Sequence, residues 1–110
     1  MQYEEIDKLN SQEAVDVFQK GIPGSIARAL LGLAMYEHDL SFTQGWCLFF
    51  LGHTDDTIAG AAATALGHLA RITRGIDKDV VIPALQIVRM QGRLCGRIQD
   101  ALDDIEMFCS

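Results

Sequence analysis

Residues 48–69 read LFFLGHTDDTIAGAAATALGHL, and this stretch decides the fold of the chain. It opens with large apolar residues, turns at Gly52, and continues after Asp55 and Asp56 as an alanine-rich segment. The apolar residues of that segment follow the i, i+3, i+4, i+7 spacing of one helix face: Ala62, Ala65, Leu66, Leu69 and Ile72. The stretch therefore predicts two helices joined by a short acidic turn, whose aspartates cap the second helix.

The same pattern recurs at a step of about 36 residues, which is typical of helical repeat arrays. Six columns align across three copies without an insertion: Ile22/Ile58/Leu94, Gly24/Gly60/Gly96, Ala29/Ala65/Ala101, Leu30/Leu66/Leu102, Leu33/Leu69/Ile105 and Tyr36/Ile72/Phe108. We therefore predict three repeats, at about 10–38, 42–75 and 78–110, within the single domain 1–110. Each repeat is a pair of helices, so the predicted fold is all-α, a right-handed stack of three helical hairpins.

A shorter helix precedes the long helix of each repeat. Asn10 and Glu13 form a predicted capping box for the first short helix, which ends before Gly21. The second short helix is predicted at 42–51 and the third at 79–90. The apolar side of the third is predicted to hold Val80, Ala84, Ile87 and Val88.

Glycines are expected at two kinds of position. Gly75 is expected to end the middle long helix in a left-handed conformation. The column Gly24, Gly60 and Gly96 is expected to let neighbouring helices approach closely. The third long helix is predicted at 94–108.

Composition excludes several classes of function. Of 110 residues, 49% are hydrophobic, and 9 basic residues face 15 acidic ones, giving a net charge of −6. This balance disfavours nucleic-acid and membrane-surface binding, which need clustered positive charge, and it favours a basic partner. The three cysteines, Cys47, Cys95 and Cys109, have no metal-ligand or disulfide spacing and are expected to be buried in a reducing compartment. With no signal peptide or membrane-spanning segment evident, the predicted location is the cytoplasm.

The stretch 48–69 resembles a HEAT-like repeat of the phycobilisome-lyase type, in which a short helix, an acidic turn and an alanine-rich helix ending in ALGxL form the unit. The resemblance implies a short α-solenoid covering essentially the whole chain. The chain departs from the family pattern at Pro23, Ala59 and Cys95, where the family often has arginine. The family's ladder of aspartate–arginine contacts between repeats is therefore not carried over.

A closer likeness lies in GAAATALGHLAR at 60–71 and DALDDIEMF at 100–108. These segments resemble small bacterial immunity proteins of toxin systems, including contact-dependent growth inhibition. The resemblance implies an immunity protein that binds a cognate toxin and covers its active site. The implied toxin is a nuclease-type C-terminal toxin domain. The partner would then be a basic toxin protein.

Catalytic and metal-binding patterns are absent from the sequence. The three histidines are far apart, and no HExxH, GxSxG, phosphate-loop or GxGxxG pattern occurs. Asp100 and Asp104 share a helix face, but no histidine joins them, and the nearby Arg89, Arg93 and Arg97 are candidate ion-pair partners for the aspartates. A solvated polar face is therefore favoured over a metal site. The prediction is that the chain is not an enzyme and uses no cofactor or metal.

The repeat register places polar residues of the long helices in rows that would line one surface, the usual binding face of a solenoid. The residues predicted to contact a partner are Glu37, Asp39, Asp55, Asp56, Thr64, His68, Arg71, Asp100, Asp103 and Asp104. Trp46, in the apolar run WCLFFL, is expected in the core rather than in a contact. Two other functions stay open: a scaffolding module of a larger complex and a tetrapyrrole lyase or chaperone-like domain. Self-association is also open but not indicated.

Overall fold

The structure is a computed structural model that describes residues 10–36 and 39–109. These residues form six α-helices and no β-strand, which confirms the all-α class. The helices are α1 (Ser11–Lys20), α2 (Pro23–Tyr36), α3 (Leu40–Leu51), α4 (Asp56–Thr73), α5 (Lys78–Met90) and α6 (Cys95–Phe108). Their starts differ by one or two residues from those predicted for the second and third short helices and the third long helix.

Polar side chains cap the starts of α1 and α4, as predicted for Asn10 and Asp55, whereas Asp56 lies in the first turn of α4 and does not cap it. The Asn10 Oδ1 atom accepts a hydrogen bond from the Glu13 N–H at 2.8 Å, and Glu13 Oε1 accepts one from the Asn10 N–H at 3.1 Å. Asp55 Oδ1 accepts the Thr57 N–H at 2.7 Å. These bonds satisfy N–H groups that have no partner inside the helix.

The helix α4 packs against α2, α3 and α6. Eleven of its 18 residues are buried, and most of these are alanine or glycine. Small side chains allow several neighbouring helices to pack closely around one helix. The alanine-rich segment that decides the fold is therefore the central helix of the described structure.

The predicted core columns are buried. Ala29, Ala65 and Ala101 have almost no exposed surface, and the same holds for the column Leu33, Leu69 and Ile105. Leu30 and Leu66 are fully buried, whereas Leu102 is half-buried on α6. Ile22, Tyr36 and Ile72 are exposed. The first column of the repeat therefore lies outside the core in the first copy, and the last column lies outside it in the first and second copies.

The predicted end of α4 at Gly75 is wrong by one residue. Arg74, with φ 55°, adopts the left-handed conformation and donates its N–H to the Ala70 carbonyl. Thr73 Oγ1 lies 2.6 Å from the Leu69 carbonyl and accepts the Gly75 N–H at 3.2 Å. The Thr73 hydroxyl thus bonds to a carbonyl and an N–H group at the helix end, and the backbone leaves the helix at Arg74.

The predicted end of α1 is at Gly21. This glycine has φ 74° and adopts the left-handed conformation there.

The expected close approach at the glycine column is found only at Gly60. A Cβ atom added at Gly24 or Gly96 would have no neighbour within 4 Å, whereas one at Gly60 would lie 2.9 Å from Arg97 Nη1. The neighbour at Gly60 is thus a long side chain and not the backbone of a crossing helix. The expectation for Gly24 and Gly96 is wrong.

The predicted apolar side of α5 is partly wrong. Val81, Leu85 and Val88 are the buried residues, whereas Val80 and Ile87 are exposed. The helix has two apolar rows one residue apart, and its contacts with α3 and α6 select one of them. Cys95 is also exposed, contrary to expectation, whereas Cys47 and Cys109 are buried.

Candidate functional site

A cleft of about 360 Å³ lies between α4 and α6. It is lined on each helix by residues at i, i+3, i+4 and i+7, the spacing of one helix face. The lining residues are Thr64, Gly67, His68 and Arg71 of α4, and Arg97, Asp100, Ala101, Asp103 and Asp104 of α6. We call this feature the α4–α6 cleft.

The two small residues of the cleft bring the helices close together. A Cβ atom at Gly67 would lie 3.4 Å from the Ala101 Cα atom and 2.9 Å from Asp104 Oδ2. Any side chain at position 67 would therefore displace the Asp104 carboxylate. Glycine at this position keeps the cleft open and allows Asp104 to lie across it.

His68, Arg71 and Asp104 form a connected polar cluster in the cleft. The Arg71 Nη2 atom lies 2.6 Å from His68 Nδ1, and Arg71 Nε lies 3.9 Å from Asp104 Oδ2. A guanidinium group only donates hydrogen bonds, so Nδ1 of His68 accepts and the imidazole is neutral, with its proton on Nε2. That proton is a donor available to a ligand in the cleft.

The surroundings of His68 favour its neutral form. Partial burial lowers the pKa of the imidazole, and the positive charge of Arg71 lowers it further, whereas Asp104 acts in the opposite direction. The hydrogen bond from Arg71 and the lowered pKa of His68 are consistent with each other. At neutral pH the charges of the cleft therefore come from its arginines and aspartates.

Asp103 is held by a hydrogen bond within α6. Its Oδ1 atom accepts a hydrogen bond from Gln99 Nε2 at 2.9 Å, and Gln99 Oε1 accepts one from Arg89 Nη1 of α5 at 2.9 Å. The neighbouring helix therefore helps to orient a carboxylate of the cleft through Gln99.

Arg97 and Asp100 have neither a hydrogen bond nor an ion pair from their side chains to any residue in 10–36 or 39–109. Both side chains are exposed. The Arg97 side chain lies over Gly60, where a larger residue would clash with it. The cleft thus presents one carboxylate and one guanidinium that are not bonded to other described residues.

The structure brings six of the ten predicted contact residues together in this cleft: Thr64, His68, Arg71, Asp100, Asp103 and Asp104. Three others lie at helix starts outside its lining. Asp39 accepts the Phe42 N–H at 3.0 Å at the start of α3, and Asp55 caps α4. Asp56 binds Arg93. Glu37 lies outside the described residues.

Sequence reasoning did not assign Arg97 to the site. Its register contained the signal, since it precedes Asp100 by three residues and Asp104 by seven, on the same face of α6. The sequence predicts Arg97 only as an ion-pair partner of the aspartates. In the structure its guanidinium makes no ion pair with a described residue, so Arg97 is an additional cation of the cleft.

In chemical terms the α4–α6 cleft offers carboxylate acceptors, two guanidinium donors and one imidazole N–H donor. Among the described residues, no group of three or more His, Cys, Asp or Glu side chains is placed to hold a metal ion. No helix in 10–36 or 39–109 is both long and apolar enough to cross a membrane. The arrangement can bind a charged group through ion pairs and charge-assisted hydrogen bonds.

No protein-family model matches the chain, and neither curated proteins nor solved structures provide a match.

Proposed function

We propose that this chain is an immunity protein that binds a basic bacterial toxin in a stoichiometric complex, with the α4–α6 cleft as the contact surface. The observation that carries the proposal is that six residues, chosen from the sequence as partner contacts, line one cleft. These residues come from two helices about 36 positions apart in the chain. The repeat register, which aligns Thr64 with Asp100 and His68 with Asp104, supports the proposal.

The proposed architecture is a HEAT-like array of three hairpins, α1–α2, α3–α4 and α5–α6. Each of these pairs is in contact, and α4 also packs against both α2 and α6. In this arrangement the long helices form one layer, and the face that they present is the usual binding face of a solenoid. The α4–α6 cleft lies between two neighbouring members of that layer.

Charge supports a basic partner. The cleft holds three carboxylates against two guanidinium groups, and Asp100 has no described partner of its own. A lysine or arginine of the partner placed beside Asp100 and Asp103 would form charge-assisted hydrogen bonds. The net charge of −6 would also speed the approach of a basic protein.

Binding explains the cleft better than catalysis does. A nucleophilic enzyme needs an activated nucleophile beside a base, and no described hydrogen bond joins the Thr64 hydroxyl or an aspartate of the cleft to His68. Burial raises the pKa of the Cys47 thiol to about 12, so that thiol would be a poor nucleophile. We therefore propose that the chain acts by occupying its partner's surface, in the cytoplasm where the toxin would act.

Co-expression with a toxin tests the proposal. The toxin would be the C-terminal domain of a large secreted protein encoded beside this chain's gene. We expect bacteria that express the toxin domain to grow only when this chain is also present. The variant D100N/D103N should protect less well, whereas D79N, which removes a carboxylate of the same kind from the first turn of α5, should protect fully. Equal toxicity with and without the wild-type chain would contradict the proposal.

A different outcome would indicate the scaffolding alternative. In that case the chain would bind the product of the neighbouring gene, but that product would not be toxic when expressed alone. The growth assay and a direct binding measurement therefore separate the two functions.

A further inference from the structure

Two helices carry matching apolar rows beside their buried rows, about 100° around each helix. On α3 the buried residues include Thr43, Cys47 and Phe50, and on α5 they are Val81, Leu85 and Val88. These sets match at an offset of 38 residues. At the same offset, the second rows are Phe42, Gly45, Trp46 and Phe49 on α3, and Val80, Pro83, Ala84 and Ile87 on α5. Phe42, Trp46 and Ala84 are half-buried against the core, as expected for Trp46, and the other five residues are exposed. The exposed fractions of Phe49, Ile87 and Val80 are 69%, 56% and 48%.

The two rows belong to neighbouring helices. α3 and α5 are in contact, and the Asp77 N–H at the start of α5 donates to Gln44 Oε1 of α3 at 2.8 Å. The start of α5 therefore lies beside the second turn of α3. We call the two rows together the outer apolar surface.

The outer apolar surface is unlike the exposed surface of α1. The exposed residues of α1 are all polar or charged: Gln12, Glu13, Asp16, Gln19 and Lys20. Exposed aromatic and aliphatic side chains on two adjacent helices, here Phe49, Val80 and Ile87, are typical of a protein-binding surface.

We propose that the outer apolar surface binds a second copy of this chain, forming a two-fold symmetric dimer. Charge selects this occupant. None of the residues in the two rows is ionisable, although the chain has a net charge of −6. Two copies that meet here bring no carboxylates into opposition, whereas a basic partner would find no opposite charge.

The shape of α3 also fits a second copy. Phe49 is largely exposed, with its ring 5.6 Å from that of Trp46, and a Cβ atom at Gly45, four residues earlier, would have no neighbour within 4 Å. Phe42, Gly45, Trp46 and Phe49 line a shallow hollow of about 320 Å³. Because a two-fold interface uses the same patch twice, Phe49 of each copy would fill the hollow at Gly45 of the other. Positions 45 and 49 are about one helical turn apart, which suits antiparallel packing of the two α3 helices.

The dimer is independent of the proposed function, because no residue of the outer apolar surface lines the α4–α6 cleft. Sedimentation equilibrium of the full chain, over a range from about 1 to several hundred micromolar, tests it. We expect the wild-type mass to rise with concentration from 12.1 kDa towards twice that value. In F49E, carboxylates would oppose each other across the axis, so dimerisation should weaken at least about tenfold.

Two further variants sharpen the test. Q86E adds the same charge on α5 outside the two rows and should dimerise like the wild type. G45L places a side chain in the hollow, and its Cβ atom would have no neighbour within 4 Å, so the variant should fold and should dimerise at least about tenfold more weakly than the wild type. It keeps the test decisive if F49E fails to fold. Trp46, the only tryptophan, gives a second readout: its emission should shift to the red on dilution of the wild type and not of F49E.

A wild-type chain that stays at 12.1 kDa throughout the range would overturn the proposal. So would an F49E or G45L variant that is folded by circular dichroism and dimerises as strongly as the wild type. If the wild type is monomeric but F49E loses binding to another protein, the surface belongs to that protein and the dimer is rejected.

Discussion

The guanidinium of Arg93 binds the carboxylate of Asp56, which lies 37 residues earlier in the chain. Arg93 Nη2 also donates to the His53 carbonyl at 2.9 Å, so one side chain holds both the turn before α4 and the start of that helix. Arg93 itself lies in the turn between α5 and α6. This contact links the turn between α3 and α4 to the turn between α5 and α6.

Removing this link should lower stability. We expect R93A to reduce the free energy of unfolding by about 1 kcal/mol, because a charge-assisted hydrogen bond and backbone acceptors are lost at a partly exposed site. Urea denaturation followed by circular dichroism measures the change. R89A is the matched control, since Arg89 donates only to Gln99, and should cost less than about half as much. Equal losses in the two variants would contradict the role assigned to Arg93.

Two glycines at helix ends should respond differently to alanine. Gly21 has φ 74° and Gly52 has φ −84°, and a Cβ atom at either would meet nothing within 4 Å. The comparison therefore isolates backbone conformation. We expect G21A to destabilise the chain by about 1 kcal/mol, because alanine is strained at positive φ. G52A should be neutral or slightly stabilising in the same urea experiment. Equal losses of stability in G21A and G52A would contradict the left-handed conformation assigned to Gly21 at the end of α1.

Thr43 is fully buried, and its hydroxyl has no hydrogen-bond partner among the described residues. Valine has nearly the same shape and no polar atom. We expect T43V to raise the free energy of unfolding by about 1 kcal/mol, because the buried hydroxyl no longer loses its hydration on folding. Thermal denaturation checks this, with T57V at an exposed position as a control that should change little. A clear destabilisation by T43V would show that the hydroxyl has a partner.

The charges around His68 should govern its titration. We expect an NMR titration of the imidazole to give a pKa below the ordinary value of about 6.5. R71Q removes a positive charge and should raise the pKa of His68, whereas D104N should lower it further. A lower pKa of His68 in R71Q, or a higher one in D104N, would contradict the cluster described for the cleft.

The same pKa shift predicts how stability depends on pH. Because the pKa of His68 is lower in the folded chain, the unfolded state binds more protons at pH values just below the ordinary histidine pKa. The free energy of unfolding should therefore fall as the pH falls through that range and level off below the folded pKa. H68Q should lack this part of the slope, which urea denaturation at several pH values would detect.

Much of the fold could be predicted because local patterns and the repeat agree. The capping box at Asn10, the acidic turn before α4 and the alanine and leucine columns all indicate helices with a defined buried face. The buried row of α5 could not be predicted in this way. Val80, Ala84 and Ile87 satisfy the helical spacing as well as Val81, Leu85 and Val88 do, and only contacts with other helices decide between the two rows.

The candidate site could be predicted in outline from the repeat register, which aligned Thr64 with Asp100 and His68 with Asp104. The pairing of charges could not be read from spacing. Arg71 bonds to His68 on its own helix, Arg93 reaches Asp56 in another turn, and Arg97 has no described partner. Long arginine side chains reach several acceptors, so the tertiary arrangement determines which of these contacts form.

Isothermal titration calorimetry between this chain and the toxin domain encoded beside it tests the central claim most directly. The account predicts saturable 1:1 binding, weakened at least about tenfold in D100N/D103N and unchanged in the α5 control D79N. Binding that is equal for the wild type and both variants would place the interface away from the α4–α6 cleft. The absence of any binding by the folded wild-type chain would contradict the proposed function itself.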